Sequence, residues 1–99
     1  MDDPIELILK RLQNNQQVKK TRFTSSFLNN VGDVLDKEGF GAVKTFLMDR
    51  MERRDLRSQA QAILEEVLPL LEACDKIRAR RSIGRYVIKT LNTLKEVKL

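Results

Sequence analysis

The chain has 99 residues, of which 41% are hydrophobic and 33% charged, and its formal net charge is +5. This length suits one domain with a single modest core, and the composition is that of neither a disordered chain nor a membrane protein, which needs about 20 consecutive apolar residues for a span. One cysteine, Cys74, excludes an internal disulfide, and the acidic N-terminus lacks the basic region of a signal peptide. We therefore expect a cytoplasmic protein.

The charges are sorted along the chain. Residues 76–99 carry eight basic side chains against one acid, a net charge of +7, and residues 10–22 carry five basic side chains and no acid. Residues 33–75 carry six basic and ten acidic side chains, a net charge of −4. Two basic blocks around an acidic middle are typical of a surface that meets a polyanion.

Glycine and proline are few and helix-forming residues abound, so we predict an all-α fold: one compact bundle of five helices in a single domain, residues 1–99. Asp3 and Pro4 are typical of a helix start, and the apolar stripe that follows ends before a polar turn at 13–17. A second helix is predicted from about Val18 or Thr21 to Glu38, with Gly32 marking a close approach of a neighbouring helix. Gly39 fits the left-handed residue that ends a helix, and a third helix begins near Phe40.

The fourth helix has the most regular apolar pattern, at positions 56, 60, 63, 67, 70, 74 and 77. Pro69 interrupts it, so the helix is predicted to kink there, because proline cannot donate to the carbonyl of Glu65. Ser82 is the predicted N-cap of a fifth helix. If helices four and five are continuous through residues 80–82, the bundle has four helices.

The chain offers little catalytic chemistry. It has no histidine, which removes the most frequent general base and zinc ligand. Cys74 falls on an apolar stripe and is predicted to be a core residue. The acidic clusters, at 65, 66 and 72 and at 33, 36 and 38, lack the spacing of a calcium loop and are predicted to be solvated faces. We expect no enzyme activity, no cofactor and no metal site.

The basic residues carry the functional prediction. If the last helix runs through Ser82, Arg78, Arg81, Arg85 and Lys89 lie on one of its faces, and arginine suits bidentate contacts to phosphate. Tyr86, in the same block, is predicted to pack against the bundle. The predicted nucleic-acid-binding residues are Lys19, Lys20, Arg22, Arg78, Arg80, Arg81, Arg85 and Lys89. A further group at 50, 53, 54 and 57 is interleaved with acids, and we expect local ion pairs to neutralise much of it.

These observations predict a non-catalytic protein that binds RNA or DNA through the phosphate backbone, as a small subunit of a larger nucleoprotein assembly. Other subunits or further copies of this chain are expected partners, with the acidic middle of one copy meeting the basic end of the next, and no membrane is involved. The alternative is a protein-interaction module that docks an acidic or helical partner, for which exposed Phe23, Phe40, Met48 and Met51 would be the favouring feature. No sequence motif points to a particular reaction or family.

Overall fold

Two antiparallel helices, α3 (Ser25–Glu38) and α7 (Ile77–Glu96), form the centre of the fold. The computed structural model describes the backbone of residues 4–73 and 77–96, and the side chains of residues 5–73 and 82–93. This described part is all-α and contains no strand. Its elements are α1 (Pro4–Gln13), α2 (Gln16–Lys20), α3 (Ser25–Glu38), α4 (Phe40–Met51), α5 (Arg57–Ala62), a π-helical turn (Ile63–Val67), α6 (Leu68–Glu72) and α7 (Ile77–Glu96).

The predicted first helix corresponds to α1. Of the two starts predicted for the second helix, Thr21 lies nearer the observed start of α3 at Ser25, and residues 16–20 form a separate short helix, α2, which includes two residues of the predicted polar turn. Asn15 starts the short α2, because its side-chain Oδ1 accepts a hydrogen bond from the Val18 amide at 3.0 Å. Thr21 ends α2 in an extended conformation, and Thr24 starts α3 by accepting from the Phe27 amide. Capping side chains on both sides of the 21–24 segment thus divide a stretch whose apolar spacing alone predicted one helix.

The turn between α3 and α4 is built on Gly39, as predicted. Its φ is 93°, a left-handed value that favours glycine, and its N–H donates to the carbonyl of Leu35 at 3.1 Å. The third predicted helix is α4, whose Val43 and Leu47 are fully buried.

Pro69 falls just after the π-helical turn and near the start of α6. A proline removes one backbone donor from a helix, and here the amide of Leu68 donates to the carbonyl of Ile63, five residues earlier. The backbone stays right-handed helical from residue 62 to 68. The predicted interruption at Pro69 therefore takes the form of a change in hydrogen-bond register within residues 57–72.

The prediction that Ser82 is the N-cap of the last helix is wrong. α7 begins at Ile77 and continues through Ser82. α6 ends at Glu72, with Ala73 as its C-terminal cap, so the boundary between these helices precedes the predicted one by several residues. Cys74, predicted to be a core residue, lies outside the described residues. The described residues form seven α-helices where five were predicted, because α2 is an additional short helix and the π-helical turn divides the predicted fourth helix into α5 and α6.

The core lies between α3 and α7 and beneath α4, α5 and the π-helical turn. Glycines let α3 and α7 approach closely: a Cβ at Gly84 would lie 2.4 Å from Leu35 Cδ2, and one at Gly32 would lie 3.4 Å from Arg85 Cγ. The close approach predicted at Gly32 is therefore confirmed, while the tighter contact at Gly84 was not foreseen. Among the described residues, no helix is both long enough and apolar enough to cross a membrane.

Candidate nucleic-acid interface

An open groove of about 530 Å³ lies between α2 and the turn that leads into α5. Its walls carry three cationic side chains together with hydroxyl and amide groups, and no carboxylate. The lining residues are Gln17, Lys20, Thr21, Arg54, Arg57, Ser58 and Gln61. A concave surface that combines several cations with neutral hydrogen-bonding groups suits an anion such as a phosphate.

Hydrogen bonds between the two walls hold this groove in shape. Gln59 of α5 is buried, and its Oε1 accepts from the backbone N–H of Thr24 at 2.8 Å. Farther along the same helical run, Glu66 Oε2 accepts from Asn15 Nδ2 at 3.0 Å. These bonds tie the segments on both sides of α2 to residues 57–67, so the groove exists before any ligand binds.

The cations of the groove are available to a ligand. Lys20, Arg54 and Arg57 are exposed, and none of them forms an ion pair with another described residue. Arg57 Nε donates to the carbonyl of Met51 at 2.9 Å, which anchors the guanidinium and leaves its two terminal NH₂ groups for another acceptor. Three positive charges therefore face one open space.

The carboxylate of Glu65 contacts two residues that line the groove. Glu65 accepts hydrogen bonds from Gln17 Nε2 at 3.4 Å and from Gln61 Nε2 at 3.4 Å and 3.3 Å. It does not line the groove itself, but it orients two amides that do.

The prediction that local ion pairs neutralise the basic group at 50–57 is wrong for Arg54 and Arg57. Arg50 does pair with Asp49, and its guanidinium also lies 4.2 Å from the centre of the Phe46 ring. Arg54 falls in the turn between α4 and α5, and Arg57 begins α5. Because the helix is interrupted, side chains three or four apart across residues 52–56 do not share one helix face, and the expected ion pairs do not form.

Of the first predicted basic block, the structure brings Lys20 into the groove. Lys19 and Arg22 are also exposed and flank it in sequence, although neither lines it. The structure thus joins Lys20 to two arginines from a part of the chain that we had set aside.

The second predicted block is partly neutralised by the acidic middle of the same chain. Arg85 Nη2 lies 3.2 Å from Asp33 Oδ1, and Arg85 Nη1 lies 2.7 Å from Asp36 Oδ2. Lys89 is exposed, with its aliphatic carbons over Gly32. The positive charge of Arg85, which we expected to be available for phosphate, is therefore neutralised within the chain. The antiparallel packing of α3 on α7 places Arg85 against two acids that are distant in sequence.

For the remaining predicted contact residues, which all lie on α7, the structure describes the backbone but not every side chain. Because this helix runs through Ser82, positions 78, 81, 85 and 89 share one side of its backbone, as the spacing predicted. The side chains of Arg78, Arg80 and Arg81 lie outside the described residues, as does all of Lys76. Within the described residues, Lys20 lines the same groove as Arg54 and Arg57, whereas Arg85 forms ion pairs with α3. No ion pair or shared groove joins the two basic blocks in this part of the chain.

The acidic clusters are engaged with cations and amides. Asp33 and Asp36 contact Arg85, Glu72 contacts Lys44 at 3.0 Å, and Glu65 and Glu66 accept from amides. Among the described side chains, those of residues 5–73 and 82–93, no group of three or more His, Cys, Asp or Glu could hold a metal ion.

The apolar residues that would have favoured a protein-docking surface are mostly covered. Phe23 is 8% exposed, and Phe40 and Met51 pack partly buried against the core, whereas Met48 is 61% exposed. Tyr86, which we predicted to pack against the bundle, is 53% exposed instead. Residue 86 falls between the buried positions of α7, which among the described side chains are 83, 84, 87, 88 and 91.

Comparison of the chain with protein-family models, with curated proteins and with solved structures gave no match. The functional argument therefore rests on the groove and on the charges around it.

Proposed function

We propose that this protein binds nucleic acid without catalysing a reaction, and that the groove between α2 and α5 is its main contact with the phosphate backbone. The observation that carries the proposal is the convergence of Lys20, Arg54 and Arg57 on one groove whose lining contains no acid. Cations around a concave surface, together with hydroxyl donors such as that of Ser58, are groups that proteins use on phosphodiesters.

Binding of this kind is driven by charge. Each phosphate that the protein neutralises releases condensed counterions, so affinity falls steeply as salt rises and depends little on base sequence. The Ser58 hydroxyl, beside Arg57, adds a neutral donor for a phosphate oxygen. The groove offers cations, amides and hydroxyls but no base to activate a nucleophile, which favours a binding role over a catalytic one.

Further basic residues extend the proposed contact. Lys19 and Arg22 flank Lys20 in sequence, and α7 supplies a second proposed region, with Arg78, Arg81 and Lys89 at positions on one side of its backbone and Arg80 next to them in sequence. Arg85 contributes least there, because a phosphate would compete with two carboxylates for its guanidinium.

So small a domain covers only a short length of backbone, which suits one subunit of a larger cytoplasmic nucleoprotein assembly. A head-to-tail array of identical copies is less favoured than assembly with other subunits. Two of the acids that such an array would use already pair with Arg85 within the chain.

The test removes the three groove charges and compares the result with removal of three charges elsewhere. The groove variant is K20Q/R54Q/R57Q, and the matched control is K10Q/R11Q/K37Q, whose three residues are exposed and do not line the groove. Fluorescence anisotropy with labelled RNA and DNA, over roughly 50–200 mM salt, gives the slope of log K against log salt concentration. Circular dichroism confirms that both variants are folded.

If all three side chains contact phosphates, the groove variant loses up to about 2.7 from this slope, and the control keeps most of it. Absence of wild-type binding at low salt, or an equal loss in both variants, would contradict the proposal.

The alternative function, docking of an acidic protein partner, would use the same cations. It is favoured by exposed Met48, the one member of the predicted apolar set that is well exposed. A stoichiometric complex with an acidic protein that weakens on Met48→Ser, from a chain that binds no nucleic acid at low salt, would support it.

A further inference from the structure

We infer that the groove takes the ribose–phosphate backbone of double-stranded RNA in preference to DNA. This inference rests on the proposed function, because it names the class of nucleic acid that the same groove accepts. Two features of the groove lead to it: hydrogen-bond acceptors placed beside the cations, and a lining without aromatic rings.

The acceptors are the side-chain carbonyl oxygens of Gln17 and Gln61. The carboxylate of Glu65 can only accept hydrogen bonds when ionised, so each amide turns its NH₂ group toward it. The carbonyl oxygen of each amide is then the end that Glu65 does not hold. Both side chains line the groove together with Lys20, Arg54 and Arg57, so their carbonyl oxygens are the acceptors that we infer to serve a ligand there.

A DNA backbone has phosphate oxygens that accept but no group that donates. RNA adds a 2′-hydroxyl to every sugar, and this hydroxyl both donates and accepts. A groove with cations for the phosphate and amide oxygens for a neighbouring hydroxyl therefore satisfies more of an RNA backbone than of a DNA backbone.

The lining also favours a duplex over a single strand. Proteins that bind single strands gain about 1–3 kcal/mol per base by stacking it on an aromatic side chain. None of the seven residues that line the groove is aromatic. Double-stranded RNA hides its bases and displays phosphates and 2′-hydroxyls together, which are the groups that this lining can recognise.

The experiment measures competition among three ligands of the same sequence: an RNA duplex of about 16 base pairs, the matching DNA duplex and one RNA strand. We expect the RNA duplex to bind at least about fivefold more tightly than the DNA duplex, the effect of two partly exposed hydrogen bonds. Q17A/Q61A should remove most of this preference, measured as the ratio of the RNA-duplex to the DNA-duplex affinity of the same variant. The control N29A/N30A, which alters two exposed amides of α3, should keep it.

Equal affinity for the two duplexes, tightest binding of the single strand, or a preference that survives Q17A/Q61A would overturn the inference and leave the proposed function standing. Failure of all three ligands to bind at low salt would instead overturn the proposed function itself.

Discussion

Gly84 gives the sharpest test of the packing between α3 and α7. A methyl group at this position would lie 2.4 Å from Leu35 Cδ2 and 3.4 Å from Leu71 Cδ1. Both leucines are fully buried, so neither can turn into solvent to make room. Overpacking of this kind costs about 1–3 kcal/mol, and alanine regains roughly 1 kcal/mol in helix propensity.

We therefore expect Gly84→Ala to reduce the free energy of unfolding by up to about 2 kcal/mol, which lowers Tm by up to about 16 °C in a domain of this size. Gly41→Ala is the matched control, because a Cβ at Gly41 meets no atom within 4 Å. That variant should gain about 0.5 kcal/mol from helix propensity alone. Thermal unfolding followed by circular dichroism measures both. If Gly84→Ala were as stable as Gly41→Ala, the described contact between α3 and α7 would be refuted.

Three further substitutions test the turn, the groove wall and the ion pairs, each by urea unfolding. Gly39→Ala should cost about 1–3 kcal/mol, because φ of 93° with ψ of −177° is a conformation open mainly to glycine. Gln59→Leu should cost about 1–3 kcal/mol, since it leaves the N–H of Thr24 without its acceptor. Arg85→Met should cost less than about 1 kcal/mol, because its ion pairs are partly exposed, and the cost should shrink in about 1 M salt.

Each of these has a clear contradicting result. A neutral Gly39→Ala would show that the turn tolerates another backbone conformation, and a neutral Gln59→Leu would show that water replaces the buried amide. A loss at Arg85 that is unchanged by salt would show that the side chain stabilises α3 and α7 by packing rather than by charge.

Local signals predicted several elements of the fold. The helix start before Ile5, the turn at Gly39 and the buried positions Val43 and Leu47 all follow from capping and from apolar spacing, which depend on residues close together in the chain. The break between α2 and α3 at residues 21–24 was not predicted, because a hydrophobic stripe does not show where side-chain caps end one helix and start another. Ser82 was misassigned because serine suits both an N-cap and an exposed position within a helix.

The candidate site was harder to predict, because it depends on which distant residues meet. Counting charges along the chain identified Lys20 but set aside Arg54 and Arg57, whose acidic neighbours in sequence turned out not to pair with them. The same count suggested a free Arg85, which two acids of α3 neutralise.

The most direct test of the central claim is an NMR titration of the protein with the short RNA duplex, in which backbone amide shifts report the contact residue by residue. We expect the largest shifts at the backbone amides of Lys20, Thr21, Arg54, Arg57 and Ser58, and smaller shifts along the basic side of α7. Changes confined to residues 78–89 of α7, or no changes at low salt, would contradict a phosphate-binding groove between α2 and α5.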